Sequence, residues 1–140
     1  MSAFTKLGSG LWSWEPFRRI ERSHDDLIGR CTKLFWIALY TAPESKHVPG
    51  LISASITTMA ESARIPVDDA RIYLDRLLED DLVEVDIERR VMRLTMLPDC
   101  GESPANGKAI RGWWNRFGNI TPCPVRDAHV ELLHWIMTEW

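Results

Sequence analysis

The chain has 140 residues, 45% of them hydrophobic, with 17 Lys and Arg against 20 Asp and Glu and a formal net charge of −3. That length and apolar content suit one compact domain with extensions and exclude a disordered chain. The slight acidity excludes a protein that binds nucleic acid through bulk positive charge, although positions 51–100 hold eleven acids against six bases while the flanks are neutral to basic.

The first 23 residues mix Gly, Ser and aromatics with "RRIER" and read as an arm of little regular structure, anchored by Trp12, Trp14 and Phe17. A short helix around Phe17–Arg22 fits within it. A helix follows from Asp25 to Thr41, with Asp25 and Asp26 favourable in its first turn. Leu27, Cys31, Leu34, Phe35, Ala38 and Leu39 recur at three- and four-residue steps and predict one buried stripe. Pro43 stops the helix.

"TAPESKHVPG" is a loop, and "GLISAS" contains a short strand. Ser53 or Ser55 caps a helix running to Ala63, with Ile56, Met59, Ala60 and Ala63 inward. "RIP" is a tight turn. Pro66 or Val67 opens the next helix, to about Asp80, with Ala70, Leu74, Leu77 and Leu78 inward. Leu82–Val85 and Val91–Met96 then read as two strands around a "DIERR" tip. Past Pro98, "DCGESPANGKA" is a linker. Lys108–Phe117 and Val125–Met137 are further helices, the last carrying Val130, Leu133, Ile136 and Met137.

Helix, short strand, helix, tight turn, helix, hairpin is the order of a winged helix-turn-helix. The expected class is therefore mostly α with a small β-hairpin. It divides into an N-terminal arm (1–23), a winged helix-turn-helix domain (24–98) and a linker with a C-terminal helical extension (99–140).

Three stretches, "LFWIALYTAPES…VPGLI", "MAESARIPVDDARIYLDRLLEDDLVEVDIERRVMRL" and "SPANGKAIRGWWNRFGNITPCPV", carry a resemblance. They are similar to the N-terminal winged-helix region of phage and prophage replication initiators, or replisome organizers. Those proteins show a first helix ending in L-T-x-P, a G-L start to a strand, two helices and a wing. A Pro/Asn segment, a Trp-bearing helix and an I-P-x-C/S-P-L stretch follow. The likeness covers Leu34 to Val125, about two-thirds of the chain. It implies a cytoplasmic protein of a bacterium or a phage-infected cell that binds duplex origin DNA and recruits replication proteins. The family usually carries a longer C-terminal part, so recruitment carries over less directly than DNA binding.

The helix from Val67 to Asp80 occupies the DNA-reading place of that fold, yet six of residues 66–81 are Asp or Glu. Its outward face carries Asp68, Arg71, Ile72, Asp75, Arg76 and Glu79. Arg71 and Arg76 are its candidates for guanine or phosphate, while each acid meets phosphate repulsion. Arg89 and Arg90, at the hairpin tip, are better suited to a minor groove or a phosphate. Arg64, Lys46 and His47 are lesser candidates.

Arg18, Arg19 and Arg22 form a basic cluster that tracks a duplex or pairs with an acidic surface such as Glu79–Asp81. "KAIRGWWNRF" interleaves bases and aromatics, which can stack on nucleobases. Paired Trp more often close a core or an oligomer interface, so Trp113, Trp114 and Trp135 are the interface candidates, and a homodimer fits.

Nothing marks an enzyme. The four histidines lack a metal or catalytic pattern, and His129 and His134, five apart, fall on different helix faces. Cys31, Cys100 and Cys123 are odd in number, without C-x-x-C, which points to a reducing cytoplasm and away from a zinc ribbon. Cys123, between two prolines, has no neighbour that marks a nucleophile. There is no phosphate loop, no signal-peptide run and no membrane-length run of ~20 apolar residues. No cofactor or metal is expected. The competing reading is a winged-helix protein-interaction module that uses the acidic helix and the Trp-rich tail to hold a replication or defence protein or a second copy.

Overall fold

The computed structural model describes residues 11–23, 26–42, 48–97 and 107–139. A 3-10 turn at Leu11–Ser13 leads into helix α1, Glu15–Ser23. The expected arm is thus more regular than the sequence implied. Nine residues make an unstable helix alone, so tertiary packing holds this one. Phe17 and Ile20, one turn apart, are fully buried. Phe17 and Trp14 meet Trp36 of the next helix, with ring centroids 5.3 and 5.1 Å away. Glu15 and Arg19 brace the outer side at 2.8 Å.

Helix α2, Asp26–Thr41, lies where expected but presents a different face. Phe35 and Leu39 are buried as predicted, together with Thr32, Lys33, Trp36 and Tyr40. Leu27 and Leu34, placed inward from the sequence, are 70% and 55% exposed; Cys31 and Ala38 are half-buried. The cause is that α2 is packed from two sides, by α1 and by the helix Val67–Glu79. The large rings Phe35, Trp36 and Tyr40 bury more area than the leucine stripe, and they set the rotation. Lys33 is buried because its ammonium bonds Glu21 of α1, which holds the Glu21 carboxyl below its usual range.

Strand β1 is Leu51–Ile52, and α3 spans Ile56–Ala63. Ser55 caps α3, its Oγ accepting from the Thr58 N–H at 3.2 Å. Met59 and Ala60 are buried, and Ile56 and Ala63 half-buried. The tight turn forms with Arg64 in the left-handed region at φ 59°, while the Ile65 N–H reaches back to the Ala60 carbonyl at 3.0 Å. Helix α4, Val67–Glu79, follows directly on Pro66. Ala70, Leu74 and Leu77 are buried, while Leu78, expected inward, stays partly exposed at the helix edge. Asp81, at φ 57°, closes α4 as Arg64 closes α3, with the Leu82 N–H bonded to the Leu77 carbonyl at 2.9 Å.

Strands β2, Val83–Asp86, and β3, Val91–Leu94, pair antiparallel from Val83↔Leu94 to Asp86↔Val91, leaving Ile87–Arg90 as the tip. Asp86 Oδ1 accepts from the Arg89 N–H at 2.9 Å, and Arg90 takes φ 55°, which turns the chain. β1 joins the other edge of β3, so the sheet has three antiparallel strands in the order β1-β3-β2.

Helices α5, Gly107–Gly118, and α6, Pro124–Glu139, complete the described chain. α6 lies against β2 and β3. Leu133 and Ile136 are buried as expected, Val130 is half-buried, and His129, not placed inward from the sequence, is fully buried. Arg126 fastens the α5–α6 corner: it sits 4.8 Å over the Phe117 ring and donates to the Ile120 carbonyl at 3.2 Å. Cys123 is buried at the start of α6, and its Sγ accepts from the Arg126 N–H at 3.4 Å. The described fold is mostly helical with one small sheet, and one cluster of buried residues runs from Leu11 to Ile136.

Candidate nucleic-acid interface

α4 and the hairpin stand side by side, and between them opens a cleft of about 530 Å³. Arg71 of α4 and Arg90 of the hairpin both line it, so two arginines separated by nineteen positions come to one place. Asp75 and Asp86 line it too, over an apolar floor of Leu74, Val85 and Met92, with the exposed Leu78 and Ile87 beside them.

The α4 arginines are engaged by their own helix. Arg71 lies 3.7 Å from Asp68, and Arg76 lies 3.2 Å from Glu79. These are exposed i,i+3 pairs, each worth only ~0.2–1 kcal/mol, so either guanidinium can be drawn to a stronger anion. The whole segment 66–90 still carries nine acids against four arginines.

At the tip, Ile87, Glu88, Arg89 and Arg90 are all exposed, Ile87 by 85%. Arg89 reaches toward the Pro122 carbonyl at 3.4 Å, a long hydrogen bond that ties the tip loosely to the α5–α6 corner. Arg64 is exposed in the α3–α4 turn. Lys46 and His47 lie outside the described residues, as do His24, Cys100 and Trp140. In the α1 cluster, Arg19 pairs with Glu15 and the Arg18 Nε donates to the Ser13 carbonyl at 3.2 Å; the Arg22 side chain falls outside what is described.

Comparison with family models, with curated protein sequences and with solved structures finds no match to this chain. Among the described residues, no group of three or more His, Cys, Asp or Glu is placed to hold a metal ion, and no helix is long and apolar enough to cross a membrane.

The tryptophans divide. Trp113 is only 8% exposed and serves the core of this chain, so it is not a surface anchor. Trp114 is half-buried, edge-on to Phe117 at 5.6 Å and to His134 at 5.9 Å, so it packs α5 on α6. Trp135 is 41% exposed and lines a hollow of about 420 Å³ with Trp14, Met96 and Leu132.

Sequence reading missed one polar constellation behind the hairpin. Arg93, buried on β3, donates from Nη1 to Glu84 Oε1 at 2.7 Å and from Nε to His129 Nδ1 at 3.3 Å. His129 Nε2 in turn lies 2.6 Å from the Pro49 carbonyl. A guanidinium can only donate and a carbonyl can only accept, so this histidine is the neutral tautomer with its proton on Nε2. Burial, aided by the adjacent guanidinium and opposed by the Pro49 bond, lowers its pKa to about 4. A signal was present: Arg93 is a lone charge in the apolar run "VMRL", and His129 shares a helical stripe with Leu133 and Ile136.

Proposed function

We propose that this chain is a non-enzymatic winged-helix DNA-binding protein, of the kind used by phage replication initiators, that grips duplex DNA mainly with the hairpin. The reading rests on the β1-β3-β2 sheet order behind α3 and α4, with the arginine-bearing tip beside α4. The single observation that carries it is the meeting of Arg71 and Arg90 at one cleft, with Arg89 exposed next to them.

Arg89 and Arg90 enter a minor groove or clasp phosphates, and Arg64 touches the backbone from the α3–α4 turn. Arg71 and Arg76 exchange their weak carboxylate pairs for phosphate. Asp75, which has no ion pair among the described residues, faces the groove as a penalty, so α4 contributes less than the helix in its place usually does.

The test is duplex binding over a salt series. Affinity should fall steeply with salt. Arg89→Ala with Arg90→Ala should reduce both the affinity at low salt and the salt slope, the latter by about one for each phosphate no longer gripped. Absence of duplex binding above background in low salt overturns the reading.

The apolar floor of the cleft favours a second reading, a protein-interaction module. Leu78 and Ile87 are exposed beside it, and Ile72 is exposed on the same helix. Under that reading Ile87→Ser and Leu78→Ser abolish partner or self-association and leave any duplex affinity unchanged. Dimerisation through Trp135 is compatible with both and is read from solution mass.

A further inference from the structure

The sheet is covered on both faces. On one, Met92 and Val85 turn toward α3 and α4. On the other, Arg93 turns toward α6, and there the chain Glu84–Arg93–His129–Pro49 crosses from β2 through β3 and α6 to the turn before β1. It is closely fitted. Gly50 sits at φ 77°, and a Cβ there would lie 3.2 Å from both His129 Cε1 and Leu97 Cδ2.

We propose that this chain of hydrogen bonds is an acid-released latch, in which protonation of His129 frees α6 from the sheet and removes the backing of the hairpin. The imidazolium carries a proton on both nitrogens. Its Nδ1–H would then point at the Arg93 Nε–H, so a hydrogen bond becomes an opposition of two donors and two like charges. Once α6 is released, the ring is hydrated and accepts the proton at its ordinary value.

Among the described residues, the groups that face His129 are few. β3 presents Arg93, and behind it β2 presents Glu84, which is already bonded to that arginine. The turn before β1 presents only backbone, and Leu97 closes the site from beyond β3. On α6 itself, Arg126 one turn back is paired with Asp127 at 2.9 Å, and His134 lies edge-on to Trp114. No carboxylate among these touches the imidazole ring to stabilise its cation.

The latch does not depend on DNA binding; only its consequence for the hairpin rests on that reading. Its test accordingly reads the protein alone. Amide hydrogen exchange of the whole chain is followed from pH 7.5 to 4.5, corrected for intrinsic rates. Protection of α6 should fall roughly tenfold per pH unit below about 6.5, and α6 should open at a lower free energy than the α2 and α4 amides, which exchange only when the whole chain unfolds and stay better protected at every pH. His129→Gln, neutral at every pH and able both to donate and to accept, should flatten the α6 response.

A wild-type α6 that keeps its protection to pH 4.5, an undiminished response in the Gln variant, or α6 amides protected equally with those of α2 and α4 at every pH would overturn the latch. Should the Gln variant fail to fold, the ring nitrogens of wild-type His129 decide by NMR. The Nε2–H tautomer persisting below pH 5 supports the latch, and ordinary titration near 6.5 or an Nδ1–H tautomer refutes it.

Discussion

Met92 and Arg93 are neighbours on one strand and look in opposite directions. Met92 lies with Ile56, Leu74 and Val85 on the α3–α4 side, and packing among these apolar side chains carries no direction. Arg93 joins Glu84 and His129 on the α6 side, where each polar partner is held by a directed hydrogen bond and one of these depends on a protonation state. Apolar burial stabilises through area removed from water and is indifferent to pH. A buried polar chain adds little net stability but fixes one arrangement, since any other leaves donors or acceptors unpaired. The first face holds the fold together; the second sets where α6 sits and when.

The two faces differ most at Met92. Met92→Ala, at a site 1% exposed, should cost about 2–5 kcal/mol of unfolding free energy through reduced apolar burial and a residual cavity. Denaturant unfolding at pH 7.5 and at pH 5 should give the same decrement. A decrement that changes with pH would mean the two faces are not independent.

Acid acts on the other face. His129 moves from an ordinary 6.5 to about 4 in the folded chain, so the unfolded chain holds the proton more tightly. Its contribution is therefore fully present above pH 6.5 and is lost as pH falls toward 4. From that shift, the loss is on the order of 3 kcal/mol. Other groups titrate in the same window, so the measured quantity is the difference in pH slope between wild type and His129→Gln. Equal slopes would remove His129 from the account. Arg93→Ala comes next, at ~1–3 kcal/mol, because it strands the Nδ1 acceptor of a buried ring while Glu84 remains half in water.

The two faces were also unequally legible. Ala70, Leu74 and Leu77 stand at steps that predict the inner side of α4, and "VEVDIERRVMRL" alternates as a hairpin should. Those signals are local, and the structure places both elements where they indicate. α2 was harder, because its stripe of Leu27, Cys31 and Leu34 is a correct amphipathic pattern that the packing of α1 overrides. The latch was harder still. His129 meets partners 36 and 80 positions away, and no periodicity reports a contact of that range. Of the arginines, the meeting of Arg71 with Arg90 required the hairpin geometry, whereas the i,i+3 ties of Arg71 and Arg76 follow from helix spacing alone.

Those two ties contribute least to stability. Arg71→Ala and Arg76→Ala should each change stability by less than about 1 kcal/mol, since both pairs are exposed and screened. Their effect on duplex affinity separates two pictures of α4. If the helix only supports the hairpin, with its two arginines adding weak phosphate contacts, the double variant loses less affinity than Arg89→Ala with Arg90→Ala. If α4 enters the groove, removing both cations leaves Asp68, Asp75 and Glu79 facing phosphate without compensation. The affinity loss should then exceed that of the hairpin variant and grow as salt is lowered, because the remaining repulsion is unscreened. A filter-binding or fluorescence titration at two ionic strengths distinguishes these outcomes, and the acidic face of α4 makes the first the expected one.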